Sequence, residues 1–100
     1  MITQDRLKWL FDYDTVNGGL IRMVNKGGNK TTKKSPNSNG YYIIMIEGKR
    51  YFEHRLVWLY HYGEFPPSDL VIDHIDNNKM NNRIDNLQLL GRYENMQRGK

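Results

Sequence analysis

The chain has 100 residues, no cysteine and a formal net charge of +4. That length suits one domain of modest core, and the absence of thiols excludes disulfide staples and thiolate zinc sites. No apolar run approaches the ~20 residues of a membrane span, and the N-terminal MITQDRLKWLF lacks the pattern of a secretory signal, so a soluble intracellular protein is the expectation. Hydrophobic residues make up 38%, aromatics 12%, and mean hydropathy is −0.79. The aromatic share argues against disorder, while the polar balance predicts a small core that gains from a partner or a metal.

The charge is unevenly placed. From Thr15 to Ile46 there is no acidic residue, and the same window holds Arg22, Lys26, Lys30, Lys33 and Lys34. That window carries +5, so the rest nets −1, with ten basic against eleven acidic residues. A basic segment of this kind suits a polyanion such as nucleic acid; the competing reading is a solvated basic loop without a partner.

In chain order, Thr3 can cap a helix over residues 4–11, whose apolar Leu7, Leu10 and Phe11 stand at i, i+3 and i+4. Asn17-Gly18-Gly19 makes a turn, and Leu20–Val24 reads as a strand. Residues 25–40, NKGGNKTTKKSPNSNG, read as a long basic loop. Tyr41–Ile46 is a β-run, Glu47-Gly48-Lys49 a hairpin turn and Arg50–Glu53 the returning strand. Those three strands are expected to form one small antiparallel sheet with the basic loop at its end. HRLVWLYHY, from His54 to Tyr62, reads as a helix ended by Gly63 and by Pro66-Pro67. Trp58 and Tyr60 belong to the core by this reading, His54 hydrogen-bonds backbone at the helix start, and His61 is partly exposed. Val71-Ile72 starts a strand, Leu87–Leu90 makes a second, and Arg92–Arg98 a last helix.

The stretch from Val71 to Asn95 holds the residues that look like chemistry. Asp73 and His74 are adjacent at a strand end, where neighbours point to opposite faces, so both serve one site only if the chain turns there. Asn77 and Asn78 supply such a turn, and Asn81 and Asn82 also read as turn residues. Asp76, Asp85 and Glu94 read as turn, cap or supporting groups. A lone Asp-His pair is ordinarily a turn hydrogen bond; what sets this one apart is the order of Asp73-His74, Asn86 and Asn95 along a strand, loop, strand and helix.

That order resembles the HNH endonuclease family, most closely its phage and intron-encoded homing branch, whose members carry a similar HRLVW helix before a V-D-H-I-D segment. The matching pieces here are His54-Arg55-Leu56-Val57-Trp58, Val71-Ile72-Asp73-His74-Ile75-Asp76, Asn81-Asn82-Arg83-Ile84-Asp85-Asn86-Leu87 and Glu94-Asn95. The resemblance covers roughly residues 40–98 and implies an α+β fold: a ββα-metal (His-Me finger) motif preceded by a short helix, a small antiparallel sheet and a supporting helix. Residues 1–53 would contact DNA and residues 54–100 form the nuclease core, together one compact domain.

The resemblance also implies roles. Asp73 and Asn95 would hold one divalent ion, His74 would be the general base, and Asn86 would accept the Nδ1 proton of His74 and leave Nε2 to take one from water. A carboxylate with an amide oxygen is a hard donor set, suited to Mg²⁺ or Mn²⁺; with only one protein charge, binding is expected to be weak until DNA arrives. Asn95 stands where many relatives have His, and Gly91-Arg92-Tyr93 where a Thr-Arg-Ser-type cap is common. The partner would be double-stranded DNA, bound by a monomer through Lys26, Lys30, Lys33 and Lys34 of the loop, Arg22, Lys49 and Arg50 of the sheet, and Arg83, Arg92 and Arg98 near the metal site. The sheet would enter the major groove, and most contacts would be to phosphate and salt-dependent. Two alternatives stand beside this reading: a DNA-binding accessory on the same scaffold that does not cleave, and an RNA-directed or toxin-like nuclease. Homing relatives often continue into a further DNA-binding segment, so a chain ending at Lys100 reads as a short stand-alone member or a fragment.

Overall fold

The computed structural model describes residues 2–23 and 35–93. Helix α1 (Gln4–Leu10) begins where the Thr3 hydroxyl accepts a hydrogen bond from the Arg6 amide at 3.2 Å, satisfying one of the donors a helix start leaves open. Leu7 and Phe11 are fully buried. Phe11 also ends the helix, because its backbone is extended and opens β1 (Phe11–Tyr13).

Strand β1 pairs antiparallel with β2 (Leu20–Arg22). This corrects the expected sheet, in which Leu20–Val24 joined the Tyr41–Ile46 strand. The cause is local. The Asp14 side chain accepts from the Val16 and Asn17 amides at 2.9 and 3.0 Å, and its backbone N–H donates to the Gly19 carbonyl at 3.0 Å. The chain folds straight back, and a short hairpin closes at lower entropic cost than pairing with a distant strand.

The long loop expected over 25–40 ends earlier than its composition suggests. Strand β3 (Ser35–Pro36) pairs with β4 (Tyr42–Ile46). An Asn37 turn joins them, its side-chain oxygen accepting from the Asn39 and Tyr41 amides at 2.9 and 3.1 Å. Lys26, Lys30, Lys33 and Lys34 lie outside the described residues. The expected hairpin to β5 (Lys49–Phe52) forms, with Glu47 and Gly48 at φ 51° and 81°, both positive as a two-residue type I′ turn requires. Ile44 and Ile46 of β4 point into the core and Met45 out of it.

Glu53 does not close β5, as the sequence reading had it, but opens α2 (Glu53–Tyr62). Leu56, Val57 and Leu59 bury against α1 and the sheets, and Gly63 ends the helix at φ 85° with its N–H on the Leu59 carbonyl at 2.9 Å. Trp58 and Tyr60 pack partly buried against the core, as expected. A separate antiparallel pair, β6 (Leu70–His74) and β7 (Leu87–Gly91), sets Asp73 opposite Gln88 and His74 opposite Leu87. The loop between them ends in a single 3-10 turn at Ile84–Asn86. The helix expected over Arg92–Arg98 falls, beyond Tyr93 and with Glu94, Asn95 and Arg98, outside the described residues.

The β1–β2 hairpin braces that loop from behind. The Tyr13 hydroxyl accepts from the Ile84 amide at 2.9 Å, and the Arg83 guanidinium donates to the Val16 carbonyl. Gly18, at φ 76°, lies so close that an added Cβ would stand 2.5 Å from the Arg83 nitrogen and 2.7 Å from its Cα. Gly18→Ala combines a left-handed backbone with a clash against backbone, and should lower stability by about 2 kcal/mol or more, read as a drop in urea midpoint.

Candidate active site

Strand β6 carries Asp73 and His74 side by side, both buried. The strand runs through both, and the chain turns only afterwards, where Asn77 takes φ 65° and its N–H donates to the His74 carbonyl at 2.8 Å. Asp73 Oδ2 accepts from Gln88 Nε2 at 2.9 Å across the β6–β7 pair. Both residues line a groove of about 930 Å³ between β6, the start of α2 and the Phe65–Ser68 segment.

His74 is held by an ordered chain of groups. Its Nε2 lies 2.7 Å from Asn82 Oδ1. Asn82 Nδ2 donates to Glu53 Oε1 at 2.8 Å, and Glu53 Oε2 accepts from the Leu20 amide at 3.0 Å. Glu53 and Asn82 are each only 1% exposed. Asn86 was expected here, on the other ring nitrogen; instead Asn82 reaches Nε2. The Asn86 amide is used within the loop: its oxygen accepts from the Asp76 amide at 3.1 Å, and its nitrogen donates to Asp76 Oδ1 and the Asn81 carbonyl, each at 2.9 Å. With the Asn86 carbonyl also taking the Ile75 amide at 2.8 Å, this residue closes the base of the loop. Its bonds to Asp76, after those from the Asn81 side chain and the Asn78 amide, hold the Asp76 carboxyl below its ordinary range.

His54 was expected to bond backbone at the helix start. Instead its ring turns inward, with centroids 5.2 Å from His74 and 5.2 Å from Tyr41, and its buried Nδ1 has no hydrogen-bond partner among the described residues. Burial, then the neighbouring His74 and Arg55, push this imidazole down to about 3. His54 is therefore neutral at ordinary pH. His61 is exposed, with Nδ1 3.0 Å from the Val57 carbonyl.

The groove also gathers cations. Arg55, Lys79 and Arg92 line it. Arg55 lies 5.1 Å over the Phe65 ring, and Lys79 lies 5.0 Å over Tyr41 and donates to the Asn39 carbonyl at 3.0 Å. Arg92 donates to the Ser68 carbonyl at 3.0 Å. Arg92 was expected near the site; Arg55, which stands in the HRLVW segment, and Lys79, in an Asn-rich run, were not among the expected DNA contacts. Lys49 and Arg50 are exposed on β5. Arg22 donates to the Met45 carbonyl at 2.9 Å and lies 4.7 Å over Phe11, so with Arg83 it supports the fold.

Comparison with known proteins agrees with this geometry. A family model described as HNH endonuclease matches residues 51–97. An uncharacterized HNH endonuclease of Acanthamoeba polyphaga mimivirus is 37% identical over 79 residues, covering 75% of this chain and 24% of the relative. A solved structure titled DNA binding and cleavage by the HNH homing endonuclease I-HmuI superposes with a TM-score of 0.64 at 32% identity, covering 87% of this chain and 49% of that one. The chain thus spans about a quarter of the curated relative and half of the solved chain.

The neutral burial of His54 sets a pH dependence. Its folded pKa lies below the unfolded value of 6.5, so the unfolded chain binds the extra proton and stability falls as pH drops below 6.5 toward 3. Between pH 7 and pH 5 this one group should remove about 2 kcal/mol. Chemical denaturation across that range should show the slope in wild type and lose most of it in His54→Phe.

Proposed function

We propose that the chain is an HNH endonuclease, the family it resembles over residues 51–97, and that it hydrolyses phosphodiester bonds in duplex DNA with one divalent ion, nicking one strand per binding event as a homing-type enzyme. The observation that carries this reading is the pairing of His74 with Asp73 on the wall of a groove edged by Arg55, Lys79 and Arg92. A phosphodiester strand needs such a channel: cations for its phosphates and, at one point along it, a base for water.

HNH nucleases generally use a divalent metal, and the donors here suit a hard one. Asp73 offers a carboxylate facing the groove, and Asn95, outside the described residues, would add an amide oxygen. Among the described residues no group of three or more His, Cys, Asp or Glu could hold a metal, so Mg²⁺ or Mn²⁺ sharing its shell with DNA oxygens and water fits better than a closed zinc site. When bound, the ion supplies positive charge beside the leaving 3′-oxygen.

The protein's own groups divide the remaining work. His74, held through Nε2, accepts the proton of the attacking water at Nδ1. The attack on phosphorus is in line with the 3′-oxygen that departs. Arg55, Lys79 and Arg92 hold flanking phosphates, with Lys49 and Arg50 of β5 and the lysines Lys26, Lys30, Lys33 and Lys34 of the basic segment extending the contact. Arg98, outside the described residues, would join them. One site per monomer cuts one strand.

The test is conversion of supercoiled plasmid to open circle with Mg²⁺ or Mn²⁺. His74→Ala should slow nicking by about 10²- to 10⁴-fold while DNA binding persists; equal nicking by both proteins removes His74 from the mechanism. A wild type that binds DNA yet leaves plasmid intact with both metals and across salt would instead be a non-cleaving binder. Arg55→Ala and Lys79→Ala should each weaken binding to any duplex and lower the salt slope by about 1, measured by titration at several salt concentrations.

A further inference from the structure

We propose that Glu53 and Asn82 are positioning residues that decide which nitrogen of His74 is basic. The proposal rests on reading His74 as the base, but its geometry stands apart from any cleavage. An ionised carboxylate only accepts hydrogen bonds. Glu53 Oε2 takes the Leu20 amide of β2 at 3.0 Å, and Oε1 takes Asn82 Nδ2 at 2.8 Å. With its nitrogen committed to the carboxylate, the Asn82 amide can present only its oxygen to His74, and Oδ1 lies 2.7 Å from Nε2. Turning the amide over would set an amide oxygen against a carboxylate oxygen and an N–H against the ring nitrogen's proton. The proton is therefore kept on Nε2, and the lone pair of the neutral ring lies on Nδ1.

The chain of groups is well sheltered. Glu53 and Asn82 are 1% exposed, so water does not compete for their bonds. Glu53 is fixed by helix α2 and by a backbone donor of β2. Asn82 is fixed by the neighbouring Arg83, which the hairpin clasps through Val16 and Gly18. Neither residue lines the groove with Asp73 and His74, so each acts on the chemistry through another side chain and not on the substrate.

Glu53→Gln tests this with little change of shape. It leaves one acceptor oxygen where the Leu20 and Asn82 donors require two. With Gln oxygen on the Leu20 amide, its nitrogen faces Asn82, whose amide turns and offers Nδ2 to the ring. His74 then accepts at Nε2 and carries its proton on Nδ1. Long-range ¹H–¹⁵N spectra of the metal-free protein, recorded where the ring is neutral, read the tautomer directly. The wild type should show the proton on Nε2. Glu53→Gln should shift it toward Nδ1, and plasmid nicking should fall on the order of 10²-fold with DNA affinity within about twofold. Asn82→Ala keeps the Glu53–Leu20 bond, and should give a mixed tautomer. A wild-type proton on Nδ1 overturns the proposal, as does an unchanged tautomer in either folded variant; if neither variant folds, the wild-type spectrum decides. Absence of nicking by the wild type counts against the nuclease reading and leaves the tautomer result standing.

Discussion

The rest of the structure depends on one buried carboxylate. A charge taken from water is strongly unfavourable unless hydrogen bonds replace the lost solvent. Glu53 recovers them from two segments distant in sequence, the Leu20 amide of β2 and the Asn82 side chain of the β6–β7 loop. Its position as the first residue of α2 helps, since the positive end of a helix favours a negative side chain. Satisfying this one group brings hairpin, helix and loop to a common point, and His74 lies one hydrogen bond further on.

The loop that follows His74 keeps its shape by polar rather than apolar means. Ile75 and Met80 are substantially exposed, so side-chain burial contributes little there. Instead Asp76 collects bonds from Asn78, Asn81 and Asn86, and Asn78 Oδ1 takes the Met80 amide at 3.1 Å. Asn is suited to this because one amide can donate and accept at once, and because it tolerates the left-handed backbone seen at Asn77. The density of Asn in this stretch reflects separate tasks: a turn at Asn77, a closed loop base at Asn86, and an imidazole partner at Asn82.

Much of this was legible in the sequence. The i, i+3, i+4 spacing marked α1, the glycine stop marked the end of α2, and the Asp73-His74 order within its motif marked the groove wall. What stayed hidden has physical causes. The β1–β2 pairing is set by a local Asp14 turn that competes with the β-run at Tyr41, and propensity does not rank those two partners. Glu53 looks like a strand end in the sequence because nothing local reveals that a carboxylate will be buried; its donors come from residues 20 and 82. Asn82 and Asn86 are alike by composition, and which one reaches the imidazole depends on the 3-10 turn at Ile84–Asn86. Arg55 and Lys79 became visible as groove residues only once α2 and the loop faced each other.

The brace behind the loop bears on how portable this site is. The family match opens at residue 51, and every group on the groove wall lies at or after Tyr41. Yet the donor that meets Glu53 Oε2 is Leu20, and the surfaces that seat Arg83 and Ile84 are Gly18 and Tyr13. A segment grafted from the match boundary onward would carry the reactive side chains and leave their footing behind. The Leu20 donor to Glu53 would be gone, and water would reach a charge now sealed from it. For this chain the unit that evolution or an engineer must move intact is larger than the motif that identifies it.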